Sequence, residues 1–156
     1  MSLDEINEKI QGLLTEGVRR SAENLDPELP AILAGHVTVS GATLGSEQPM
    51  MLRRDHVLLP SSLHLPVFDY IALGHIHKHQ VMREHPMMVY SGSLQRVDFS
   101  EEGDPKGFCV IDLDPTAVQG KRLVDFKFQP VHARNFVTVD VKVSEDSEDP
   151  TGDVIH

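Results

Sequence analysis

The chain has 156 residues, 40% of them hydrophobic, enough for one domain with a core of its own and too few for two comfortable ones. A formal charge of -10 argues against a broad basic surface for nucleic-acid phosphates, which draws on clustered Lys and Arg. No stretch approaches the roughly 18 to 20 apolar residues of a membrane helix, and Met1 to Ile10 is acidic where a signal peptide is basic and then apolar, so a cytoplasmic protein is expected.

From Asp4 to about Ala22, the residues Ile6, Ile10, Leu13, Leu14 and Val18 recur at three- and four-residue spacings. With Ser2 three residues before Glu5 as a capping box, they predict one amphipathic helix. Pro27 and Pro30 then break the chain. Ala31 to Val39 is apolar and β-branched, the pattern of a strand buried on both faces, and carries His36 near its end. Gly41, Gly45 and Ser46 mark a loop over Thr38 to Pro49, and Asp55 to Leu59 reads as a further short strand. Asp69 to Leu73 is another buried-strand pattern, stopped by Gly74, and it delivers His75 and His77.

Beyond His85 the pattern becomes strands separated by turns, at Met87 to Tyr90, Gly107 to Leu113, Leu123 to Phe128 and Phe136 to Val143. In the last, Val137, Val139, Val141 and Val143 alternate with Thr138, Asp140 and Lys142, as in a half-buried strand. Glu145, Asp146, Glu148, Asp149 and Asp153, together with Pro150 and Gly152, predict a solvated, disordered tail over 144–156. The single cysteine, Cys109, lies in the apolar run Phe108 to Leu113 and reads as a core thiol. A helix and buried strands followed by a run of strands predict α/β layering that grades into β structure.

The chain holds nine histidines, and His75, His77, His79 and His85 fall within eleven positions. In Leu73-Gly74-His75-Ile76-His77, residues two apart on an extended chain project to the same side, so His75 and His77 can converge on one metal centre. His36, at the end of another expected strand, meets the same condition, because ligands of open α/β sheets bind outside the carboxyl ends of strands. Neutral imidazole suits zinc, manganese and iron, and two such ions can grip a phosphodiester. A two-metal site also needs carboxylates, and Asp69 and Asp98 read better as caps or solvated residues. The histidine pair alone is equally compatible with a satisfied structural role. Arg96, with Ser91 and Ser93, could meet a phosphate, although turn stabilisation is the commoner use of such residues. His79 and His85 read as surface residues, His56, His64 and His132 have no partner at ligand spacing, and Met50-Met51 and Met87-Met88 read as core filler.

Leu73-Gly74-His75-Ile76-His77-Lys78 resembles the Gly-His-x-His motif that closes the metal site of calcineurin-like phosphoesterases, and Phe68 to Leu73 resembles the segment leading into it. Gly35-His36-Val37-Thr38-Val39-Ser40-Gly41-Ala42 is similar to the upstream histidine motif of the DNA-nuclease branch. The stretch Val89-Tyr90-Ser91-Gly92-Ser93-Leu94-Gln95-Arg96-Val97-Asp98-Phe99 resembles one that marks the DNA-repair nucleases of the SbcD family. The resemblance runs from the first helix to about Val143. It implies part of a calcineurin-like αββα sandwich, with His36 and His75 on one metal ion, His77 on a second, and manganese as the usual metal. It further implies DNA as substrate, an SbcC-type coiled-coil ATPase as partner, and a homodimer.

The family's Asp-x-His, Gly-Asp-x-x-Asp and Gly-Asn-His motifs do not occur in this sequence. The expectation is therefore the C-terminal half of a phosphoesterase domain over 1–135, the start of a cap-domain-like strand over 136–143, and the acidic tail. Such a chain would be inactive alone. A non-catalytic assembly module that keeps the fold is the alternative; a phosphoesterase on proteins or nucleotides is the other, disfavoured by the Tyr90 to Phe99 stretch.

Overall fold

A computed structural model describes residues 3–45, 57–144 and 146–155. The amphipathic pattern folds as helix α1, Leu3–Glu23. Its buried side is narrower than expected: Val18 and Ala22 pack on the core, while Leu13 and Leu14 are 73% and 40% exposed. The Ser2 cap lies outside the described residues.

Strand β1 is Ile32–His36 and β2 is Thr38–Val39, which pairs in parallel with β3, Val57–Leu58. A four-residue helix α2, Pro60–Leu63, leads to β4, Tyr70–Gly74. Strands β5, Gln80–Glu84, and β6, Met87–Tyr90, follow. The main sheet has the order β1-β4-β6-β5, with β1, β4 and β6 parallel and β5 antiparallel at the edge. One face of this sheet packs Ile71, Leu73, Met88 and Tyr90 into the core with Val39, Leu58, Leu63 and Phe68. Burying side chains of this size contributes roughly 1.5–3 kcal/mol each, and this layer is the source of the fold's stability.

Strands β7, Gly107–Leu113, and β8, Leu123–Pro130, form an antiparallel hairpin. It approaches the other face of the sheet where the Tyr70 and Phe126 rings lie 6.3 Å apart. Cys109 sits at this junction, and burial pushes both its thiol and the Tyr70 hydroxyl above their ordinary pKa.

Three expectations are corrected. Strand β1 is not buried on both faces: it lies at the sheet edge, and its residues alternate between exposed and half-buried, with Ile32 50% exposed. Phe136 to Val143 forms no strand: among the described residues no second strand pairs with it, and Val137 and Val139 are 66% and 73% exposed. Alternation alone does not make a strand without a sheet to lie on. This segment is held instead by Phe136 against Phe99, with ring centroids 4.8 Å apart, and by Thr138 donating to the Glu102 carboxylate. At the tail, Pro150–Ile155 is a short helix, α3, begun by Asp149, whose carboxylate accepts from the Gly152 N–H at 3.0 Å.

Asp69 is neither a surface cap nor solvated. It is 1% exposed, its Oδ2 accepts from the Ala31 N–H at 2.8 Å, and its Oδ1 accepts from the Arg122 N–H at 3.1 Å. Arg122, 2% exposed, lies 3.4 Å from the same carboxylate and donates to the carbonyls of Leu29 and Pro27. The pair thus joins the entries of β1, β4 and β8. Removing one partner leaves the other charge buried and uncompensated, so Asp69→Ala should lower unfolding stability by about 3–5 kcal/mol. Urea denaturation reads this directly, and a loss under about 1 kcal/mol would mean that water reaches the pair.

Candidate metal centre

Parallel pairing of β1 on β4 places Gly35 opposite Leu73 and His36 opposite Gly74. His36 therefore ends its strand at the level where His75 begins, and the two rings meet edge-on with centroids 5.1 Å apart. Gly74 makes room for this contact, since a Cβ there would stand 3.1 Å from Nδ1 of His36. His75 has φ +96°, the one positive value at a non-glycine residue among the described residues. Backbone in that region costs on the order of 1–3 kcal/mol and persists only where the surroundings enforce it.

Both His75 and His77 lie beyond the last paired residue of β4, in irregular backbone. Strand alternation therefore does not set the directions of those two side chains, and the contact between His36 and His75 is made across the ends of β1 and β4. Among the described residues no three of His, Cys, Asp and Glu are grouped to hold an ion. The donor set fits a divalent ion in kind, as paired imidazoles. Among the described residues no carboxylate is grouped with them to offset the ion's charge.

Tyr90 fixes the chain just past His36. Its hydroxyl donates to the Val37 carbonyl at 2.7 Å and accepts from the Val39 N–H at 2.8 Å. Burial pushes its pKa up to about 12, against a smaller downward pull from the Val39 bond.

His77 has a different partner. Its Nδ1 is 2.9 Å from Oε1 of Glu101, which is fully buried, and Oε2 of that carboxylate is 2.7 Å from Nζ of Lys106, also buried. Sequence reasoning missed both residues. Glu101 stands in the acidic run Glu101-Glu102-Gly103-Asp104, which looks solvated, and no periodicity marks a carboxylate that a short 3-10 helix, Phe99–Glu101, turns inward. Asp98 caps that helix, accepting from the Ser100 N–H at 2.8 Å.

Arg96 donates to the carbonyls of Glu101, Glu102, Asp104 and Arg134, the turn-stabilising use. His79 is corrected from a surface residue: its Nδ1 is 3.0 Å from the Tyr90 carbonyl and its ring stacks on Phe128 at 4.0 Å. His64 lies 3.1 Å from the Pro86 carbonyl, and His85 is exposed. Met88 is core, while Met87 is half-buried. His56 and Met50-Met51 lie outside the described residues.

A mixed sheet whose parallel strands end in paired histidines is part of a calcineurin-like metallophosphoesterase fold. No protein-family model matches the chain. Over 121 residues, 77% of its length, the chain is 31% identical to the SbcD component of nuclease SbcCD from Staphylococcus epidermidis. That similarity supports an SbcD-like metallophosphoesterase. The matched region spans 32% of that relative, about a third of its length.

Replacing Tyr90 by Phe strands the buried Val39 N–H and should cost about 1–3 kcal/mol. The hydroxyl titrates higher in the folded chain than the ordinary 10.0, so its contribution is complete below that pH and is lost as pH rises toward about 12. Urea midpoints measured from about pH 9 to 11 should fall in the native chain and fall less in Tyr90→Phe. An equal fall in both would assign the alkaline loss to Tyr70 and other groups.

Proposed function

We propose that this chain supplies the histidine side of the metal centre in a DNA nuclease of the SbcD type. The reaction is phosphodiester hydrolysis at DNA ends in double-strand-break repair, with two manganese ions as cofactor. The partners are DNA, an SbcC-type ATPase and a second copy of the protein, in the cytoplasm. The observation that carries this reading is the contact of His36 with His75 at the ends of parallel-paired strands. It is supported by similarity to a protein named as part of a nuclease.

His36 and His75 would hold one ion and His77 the other. When bound, the ions supply Lewis acidity for hydrolysis. The chain's own residues set the donors: Gly74 admits the His36 ring, Tyr90 holds the backbone after it, and the turn beyond β4 presents His75. Three neutral imidazoles bring no negative charge, and two divalent ions held by them alone would repel strongly. By itself the chain should therefore bind one ion weakly and leave DNA uncut. Among the described residues no carboxylate is grouped with His36 and His75, which favours a second reading, a non-catalytic assembly module.

Manganese binding to the chain, followed by the paramagnetic resonance of the unbound ion, should weaken at least about tenfold in His36→Ala and in His75→Ala. Unchanged binding in both would send the ion elsewhere. A chimera in which this chain replaces its matched region of the S. epidermidis relative should cut linear duplex DNA with manganese and lose cleavage in His77→Ala. A folded chimera that binds DNA without cutting it supports the assembly-module reading instead.

A further inference from the structure

Glu101 and Lys106 form a fully buried ion pair between the 3-10 helix and the start of β7. Such a pair is a weak source of stability, since the cost of desolvating two charges can exceed their attraction. Its geometry is aimed at His77. Lys106 Nζ at 2.7 Å and the Val97 N–H at 3.2 Å both engage Oε2 of Glu101, while Oε1 is 2.9 Å from Nδ1 of His77. The same ammonium donates to the His77 carbonyl at 3.2 Å and to Ser93 Oγ at 3.0 Å. The Ser93 N–H also donates to the His77 carbonyl, at 3.2 Å. Gly92, at φ +81°, allows this close passage: a Cβ there would lie 3.0 Å from the same carbonyl.

A carboxylate oxygen and an imidazole nitrogen at this distance need a hydrogen between them, and a carboxylate carries none to give. We propose that Glu101, braced by Lys106, is a positioning residue for His77, holding the ring hydrogen on Nδ1 and so the lone pair on Nε2. This rests on the reading of His77 as a metal ligand, in which Nε2 is the ligating nitrogen. Carboxylates that orient ligand histidines in this way fix both tautomer and ring direction.

The test is the ring nitrogen spectrum of His77 in the metal-free 156-residue chain at about pH 8, above the ordinary histidine range of about 6.5. The native chain should show a protonated Nδ1 and a lone-pair-bearing Nε2. In Glu101→Gln the amide oxygen should take the place of Oε2 before Lys106 and Val97, turning the amide N–H toward His77. The ring hydrogen should then move to Nε2, and manganese affinity should fall about 10- to 100-fold. Lower thermal stability alone would accompany any structural role; the tautomer separates the two. A native chain with the hydrogen on Nε2 overturns the proposal, even where the variant fails to fold. A folded Glu101→Gln with unchanged tautomer overturns it too. If the tautomer follows Glu101 while manganese ignores both forms, Glu101's hold on the ring stands and the ligand reading of His77 fails.

Discussion

Parallel pairing of β1 on β4 is the constraint on which the rest depends. A slip of one residue would turn Leu73 and Ile71 from the core toward the opposite face and would carry Gly74 out of register with His36. The two ends of this pairing are fixed by different means. At the amino ends, Asp69 takes the Ala31 N–H and sits against Arg122; at the carboxyl end of β1, Tyr90 closes the chain between Val37 and Val39. With both ends held, the contact between the His36 and His75 rings follows from the sheet, and the positive φ at His75 is sustained by it.

Second to the register is the treatment of charge around the histidines. Among the described residues, no carboxylate is grouped with His36 and His75, whereas His77 leans on Glu101, whose own charge is matched by Lys106. The two sides of the site therefore differ: one is held by backbone geometry and the other by a buried polar network. A network of this kind is sensitive as a unit, because removing any member leaves a desolvated partner behind.

Much of the scaffold was legible in the sequence, where local pattern and tertiary demand agree. Helix α1 and strands β4, β6, β7 and β8 lie where spacing and β-branched runs predict them. His36 was legible as a strand-end residue, and Gly74 as the residue giving the backbone room beside it. Other features depend on neighbours that a linear pattern does not contain. The valine alternation of Phe136 to Val143 matches a strand, yet among the described residues no second strand pairs with it. Strand β5 went unread because Gln80, Arg83 and Glu84 dilute its apolar signal at a sheet edge. Asp69 and Glu101 look like solvated acids in sequence, and only the fold supplies the buried cations that make them internal.

On this reading, the ends of β1 and β4, with the turn beyond, are where this chain would receive a metal ion. The most direct measurement is the broadening of histidine ring proton resonances as manganese is titrated into the native chain. His36, His75 and His77 should broaden first, while His64, His79 and His132 persist until manganese is in large excess. Early broadening confined to His132 and the acidic residues near Asp149, with the His36 and His75 signals intact, would contradict it.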